Sequence, residues 1–362
     1  MINVTKSFLP PIERYIEYLK GIWERGHLTN HGPLVLELEA KLKEYLEVPY
    51  IFFVSNGTIA LQIAIKALEL KGDIITTPFS YVATTSSIVW EHCCPVFVDI
   101  ESDTLTIDPK SVENAITDKT TAILCTHVYG NPCDVEAIQL VARKYNLKVI
   151  YDAAHSFGVR YKGKSLLSYG DFSTLSFHAT KIFHTVEGGA IVTENAELAH
   201  RASYMRNFGH NGPEDFYGVG INGKNSELHA AMGLCLLEEI DEIILRRQMI
   251  SETYDELLKG LNIERPKIRE HTKYNYAYYP VIFPSEEILL KVKASLNDNQ
   301  IYPRRYFYPS LNKLNYVVRK SMPISEDIAR RVLCLPLYPQ LDYEDVAKIC
   351  GIISRTLELV NA

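Results

Sequence analysis

The sequence predicts an α/β protein: a mostly parallel seven-stranded sheet covered by helices, followed by a smaller α+β C-terminal domain. Three observations carry this reading. Seven short β-rich runs alternate with helical patterns; most of the runs are unbroken Val/Ile/Leu/Phe, as strands buried on both faces must be; and the alternation stops near Ile240. At 362 residues and 47% hydrophobic content the chain exceeds what one core accommodates, so two domains are expected, 1–240 and 241–362.

The strands are expected at Tyr50–Ser55, Asp73–Pro78, Pro95–Asp99, Thr120–Thr126, Leu147–Asp152, Phe172–Phe177 and Gly188–Thr193. Between them, Thr58–Leu70 is apolar nearly all round and reads as a buried helix, and Val135–Tyr145 reads as a helix capped by Asp134. Past residue 237 come a long charged helix (Glu238–Leu258), an isolated strand (Tyr278–Phe283) and a helix from Ser285. The Arg/Tyr-rich stretch Ile301–Tyr308, an apolar run Val332–Leu337 and a last helix from Asp342 complete the chain. No Gly/Ser- or Pro-rich linker divides the two parts, so the long helix is expected to be the connection.

Composition narrows the function classes. Lys plus Arg 38 against Asp plus Glu 44 gives a net charge of −6, which argues against a general nucleic-acid binder. The seven cysteines are odd in number, scattered and without a CxxC pair, so neither a disulfide framework nor a zinc site is indicated. The N-terminus lacks an apolar leader core and no window approaches a membrane span, so a cytoplasmic protein without a membrane partner is expected.

Three places carry chemistry. Ser55-Asn56-Gly57-Thr58 follows a strand and opens a helix, which aims free amides and the positive end of the helix dipole at whatever lies above; ordinary capping is the competing reading. No Walker A run or GxGxxG turn is present. Asp152 ends a strand, where doubly wound sheets place their ligands, although a cap or salt bridge would also use a carboxylate there. Lys181 follows the strand ending at Phe177 and is flanked by Phe177, Ile182 and Phe183, whose burial lowers an amine toward its neutral, nucleophilic form. A Schiff-base lysine and a carboxylate for a pyridinium nitrogen are the two residues that pyridoxal 5′-phosphate (PLP) needs most.

Six ordered motifs extend the pattern: Leu28-Thr29-Asn30-His31-Gly32-Pro33, Ser55 to Leu61, Thr77 to Thr84, Asp152-Ala153-Ala154-His155, Ser176 to Lys181, and Glu187-Gly188-Gly189. Together with Leu335-Pro336-Leu337-Tyr338-Pro339 they cover nearly the whole chain and resemble the DegT/DnrJ/EryC1/StrS family, fold type I PLP enzymes acting mostly on nucleotide-linked keto sugars. The resemblance implies that Lys181 holds the cofactor covalently, Asp152 pairs with its ring nitrogen, His155 lies beside its phenolic oxygen and Tyr81 stacks on the ring. Gly57, Thr58 and Ser176 would hold the phosphate, and Asn222 would reach the partner subunit's phosphate in a homodimer with shared sites. Here the chain departs from the pattern, with Asn222-Gly223-Lys224 where many relatives have Asn-aromatic-Arg.

The activity so implied is an aminotransferase moving an amino group from L-glutamate to a nucleotide-linked keto sugar. The Phe-His-Ala-Thr-Lys…Glu-Gly-Gly form resembles the C4-acting members of the family more than the C3-acting ones, which implies dTDP-4-keto-6-deoxy-D-glucose aminated at C4, with C3 amination and UDP-linked sugars left open. A dehydratase on this scaffold carries His at the lysine position, which Lys181 contradicts, and a non-catalytic sensor would not need Lys181, Asp152 and the phosphate cup together. Arg206, Arg304 and Arg305 are candidate clamps for the diphosphate because guanidinium matches phosphate geometry; His184 has no assigned role.

Overall fold

The computed structural model describes residues 1–361. Seven strands, β1 (Tyr50–Val54), β2 (Asp73–Thr76), β3 (Cys94–Phe97), β4 (Thr120–Thr126), β5 (Lys148–Asp152), β6 (Phe172–Ser176) and β7 (Gly189–Thr193), form one sheet. Their order is β1-β7-β6-β5-β4-β2-β3. The pairs β3–β2, β2–β4, β4–β5 and β5–β6 are parallel, whereas β7 runs antiparallel to both its neighbours. A parallel return needs a crossover, usually helical. Residues 177–188, between β6 and β7, contain no helix, so β7 folds straight back.

The unbroken apolar runs have a physical reason. Ile74, Leu124 and Ile150 pack on one side of the sheet with α1 (Gly57–Ala67), and their neighbours Ile75, Ile123 and Val149 pack on the other with α2 (Val135–Tyr145). Both faces are covered, so no polar alternation is tolerated. Asn56 caps α1 by accepting from Ile59 N, and Asp134 caps α2 by accepting from Ala137 N.

The second half keeps the expected long helix and departs from expectation at the strand after it. The long helix, α3, spans Ile240–Leu257 unbroken, and a separate helix buried along its length, Glu227–Leu237, precedes it. The strand expected to be isolated is paired: β8 (Tyr279–Ile282) runs antiparallel to β9 (Val332–Leu335). The partner lies about fifty residues downstream, and no local turn signals such a pairing. Around this ribbon, α3, the helix Glu286–Asp298 and the helix Tyr343–Asn361 bury a separate core that includes Tyr254, Val281, Val292, Leu335 and Ile353. Tyr254 is fully buried, and its hydroxyl donates to Pro336 O at 3.0 Å, tying α3 to the chain after β9. Ile2 also enters this core, because Ile2–Asn3 pairs in parallel with Ile301–Tyr302.

Among the described residues no cysteine is bonded to another; six are buried and Cys94 is exposed. No described helix is long and apolar enough to cross a membrane.

Candidate active site

The carboxyl ends of β4, β5 and β6 and the N-terminus of α1 open on one cavity of about 290 Å³. Seven of the eight residues singled out from the sequence line it: Gly57, Thr58, Tyr81, Asp152, His155, Ser176 and Lys181. Asn56 and its backbone carbonyl take the amides of Ile59 and Ala60, which leaves Gly57 N–H and Thr58 N–H as the free donors at the helix start. A Cβ at position 57 would lie 3.0 Å from Ser176 Cβ, so glycine is what keeps this cup open.

Lys181 is delivered by the irregular segment after β6. Phe177 N bonds Gly188 O at 2.7 Å, Thr185 N bonds Phe177 O at 2.9 Å, and a tight turn closes with Lys181 N to His178 O at 2.8 Å. Phe183 anchors the segment, stacked on Phe157 with centroids 4.4 Å apart and edge-on to Phe177 at 4.9 Å. The lysine is partly buried; burial pushes its ammonium down to about 8, against the opposing pull of Asp152 and Tyr81.

Asp152 is held at both oxygens. Thr84 Oγ1 donates to Oδ2 at 2.7 Å and Ala154 N donates to Oδ1 at 3.1 Å. Behind Thr84, Ser80 Oγ lies 2.7 Å from Thr84 Oγ1 and 2.9 Å from Thr126 Oγ1, so three buried hydroxyls from different elements brace the carboxylate. Sequence reasoning assigned none of the three a role. Ser80 and Thr84 lie in the run that supplies Tyr81, spaced by one helical turn; that spacing was the available signal.

His155 accepts Tyr129 N–H at Nδ1 (3.1 Å), so the proton of the neutral ring sits on Nε2. Burial first, and then Lys181, hold it well below the usual histidine range. Its ring is parallel to Phe307 with centroids 5.7 Å apart and edge-on to Tyr278 at 4.7 Å, so residues from the C-terminal part of the chain also form walls of the cavity.

Other expectations are redirected. Asn222 does not line this cavity; it is exposed, and its Oδ1 accepts from Lys224 Nζ at 2.6 Å. Arg206 is no diphosphate clamp: it is 4% exposed and ion-paired with Glu39, and its guanidinium donates to Phe53 O at 2.9 Å. Glu39 in turn accepts Phe53 N–H at 2.7 Å. β1 is an edge strand, and this charge pair satisfies the outward backbone groups of Phe53. Arg305 is held by Glu286 at 2.6 Å and stands outside the cavity, whereas Arg304 lines it. His184 is structural, its Nε2 meeting Phe8 O at 2.8 Å.

The sequence profile of the DegT/DnrJ/EryC1/StrS aminotransferase family matches residues 12–354. The chain belongs to that family. A relative from Shigella dysenteriae, dTDP-4-amino-4,6-dideoxy-D-glucose transaminase, is 44% identical over 361 residues, covering 97% of this chain and 98% of its own. Among solved structures, DesI in the presence of its TDP-sugar product superposes with a TM-score of 0.94 at 31% identity, covering 99% of this chain and 95% of that one. NtdA from Bacillus subtilis, with bound cofactor PMP, gives a TM-score of 0.89 at 28% identity, covering 96% of this chain and 82% of its own. The fold is that of an aminotransferase, and the braced carboxylate, the lysine and the amide cup of this family member share one cavity.

Proposed function

We propose that this aminotransferase moves an amino group from L-glutamate to C4 of dTDP-4-keto-6-deoxy-D-glucose, using PLP held around Lys181. The observation that carries the reading is the convergence of Lys181, Asp152 and the Gly57–Thr58 amides on one cavity, in a chain so similar to a transaminase named for the aminated form of that sugar.

The residues fit the cofactor. The cup at Gly57, which a Cβ would fill, offers two amides and the Ser176 hydroxyl to a phosphate. Asp152, oriented by Thr84 and Ala154, presents a carboxylate that keeps a pyridine nitrogen protonated. His155 offers an Nε2–H donor, and Tyr81 stands half-exposed at the rim. When bound, PLP supplies the electron sink for a carbon that loses a proton. Lys181, lowered to about 8, has an appreciable neutral fraction near neutral pH and moves that proton in both half-reactions.

The assembly we infer is a homodimer with shared sites. It is supported by Asn222, which lies outside its own subunit's cavity on a segment that also exposes Phe208, Phe216 and Ile221. The domain division at 240 is likewise our reading, supported by the separate core after α3, into which Ile2 reaches back.

The test is glutamate-dependent turnover of dTDP-4-keto, dTDP-3-keto and UDP-linked keto sugars, with the position of the new amine read by NMR. Amination of the dTDP-4-keto sugar at C4 is expected. An amine at C3, or preference for a UDP sugar, refutes the substrate; no amination of any of them refutes the function.

A further inference from the structure

We propose that His178 and Glu187 form a clamp for the hydroxyl adjacent to the sugar's reacting carbonyl, and so set part of the enzyme's sugar selectivity. The inference rests on the keto-sugar reading above. Both side chains line the cavity that holds Lys181, and His178 and Lys181 are the two ends of one tight turn.

The imidazole is locked in one tautomer. Thr180 N–H points at Nδ1 from 3.3 Å and Thr180 Oγ1 lies 2.8 Å from it, so Nδ1 is the acceptor and Nε2 carries the proton of the neutral ring. That Nε2 stands 3.8 Å from Glu187 Oε1, too far for a hydrogen bond between them. A donor and an acceptor therefore face each other across a gap that neither closes.

A hydroxyl bridges such a pair from one side. One oxygen about 2.8 Å from each atom, standing off the line that joins them, accepts from Nε2–H and donates its own proton to the carboxylate. A ketone oxygen has no proton to give. A phosphate or the carboxylates of the amino donor would be repelled by Glu187. The pair therefore distinguishes a sugar hydroxyl from the other groups that enter the cavity.

A purely structural ion pair is the competing account. The two side chains are 48% and 56% exposed, and exposed pairs contribute little to stability. The backbone at Glu187 is fixed independently of its side chain: its carbonyl accepts from Thr185 Oγ1 at 2.8 Å and from Asn225 Nδ2 at 3.1 Å. Substitutions at the carboxylate leave those bonds in place.

The experiment compares the dTDP-4-keto sugar with its analogue bearing hydrogen in place of the neighbouring hydroxyl, in the wild type and in Glu187→Gln, His178→Phe and Thr180→Val. The wild type is expected to favour the hydroxylated sugar by about 100-fold in kcat/KM, the worth of one hydrogen bond to a charged group. Glu187→Gln and His178→Phe should bring the ratio to within a few-fold by slowing the hydroxylated sugar alone. Thr180→Val, which keeps both partners and removes one of the two contacts that fix Nδ1, should lower it part-way. The glutamate half-reaction, followed by cofactor absorbance without any sugar, should hold its rate. A wild type that does not discriminate, an unchanged ratio in both partner variants, or equal losses on both sugars and on glutamate would each overturn the clamp. If the wild type aminates a different keto sugar, the substrate reading falls, and the same comparison on that sugar's own deoxy analogue decides the clamp.

Discussion

Lys181 and Asp152 together predict a pH profile whose response to one substitution has opposite signs in two assays. Only a neutral amine attacks the cofactor aldehyde. With Lys181 lowered to about 8, about one lysine in ten is neutral at pH 7, against about one in 3000 at the ordinary value, an advantage of about 300-fold. Capture of PLP by cofactor-free protein, followed by stopped-flow absorbance, should therefore rise with pH and level off above about 8. Asp152 is one of the groups holding the ammonium up, so Asp152→Asn should move the midpoint down. At pH 7, below the wild-type midpoint, capture should then be faster. Turnover of the same variant should fall by several orders of magnitude, because an amide does not keep the ring nitrogen protonated. A wild-type midpoint near the ordinary lysine value, or an upward shift in Asp152→Asn, would refute the electrostatic coupling.

Three further outcomes follow from the geometry. Thr84→Val removes the hydroxyl donor to Asp152 and should lower kcat about 10- to 100-fold with little change in the KM for glutamate; an unaffected kcat makes the hydroxyl brace incidental. Arg206→Met leaves Glu39 buried without its partner and should destabilise the fold by about 3–5 kcal/mol in denaturant titration, without a selective rise in the KM for the sugar nucleotide. Lys181→Ala and Asn222→Ala, each inactive alone, should recover activity when their subunits exchange, since one site of the heterodimer carries both native residues; exchange without recovery removes the shared site.

Strand positions were legible because burial on both faces of the sheet forces unbroken apolar runs, and Ile74, Ile75, Ile123 and Leu124 write that constraint directly into the chain. The β8–β9 pairing and the entry of Ile2 into the second core were not legible, because both are long-range contacts with no local turn to announce them. The cavity residues were readable as motifs, because each sits at a helix start, at a strand end or in the short segment just past one, where backbone geometry limits the choice. Arg206 misled: its guanidinium read as a diphosphate clamp because the edge strand it serves lies about 150 residues upstream. The bracing of Asp152 was hidden for a similar reason, since Ser80, Thr84 and Thr126 meet only after two strands and a helix are assembled.

The charge pair on the edge of β1 also bears on synthesis. Phe53 emerges early from the ribosome, yet one of the two side chains that satisfy its outward backbone groups lies at position 206. Until β7 has paired with it and that arginine has docked, the apolar strand Tyr50–Val54 keeps an open ladder of donors and acceptors, the form of backbone most prone to pair with another chain. Nascent chains stalled or truncated before residue 206 should consequently be the sticky species of this protein, and a chaperone binding near residue 50 would be protecting an edge that the finished molecule seals for itself.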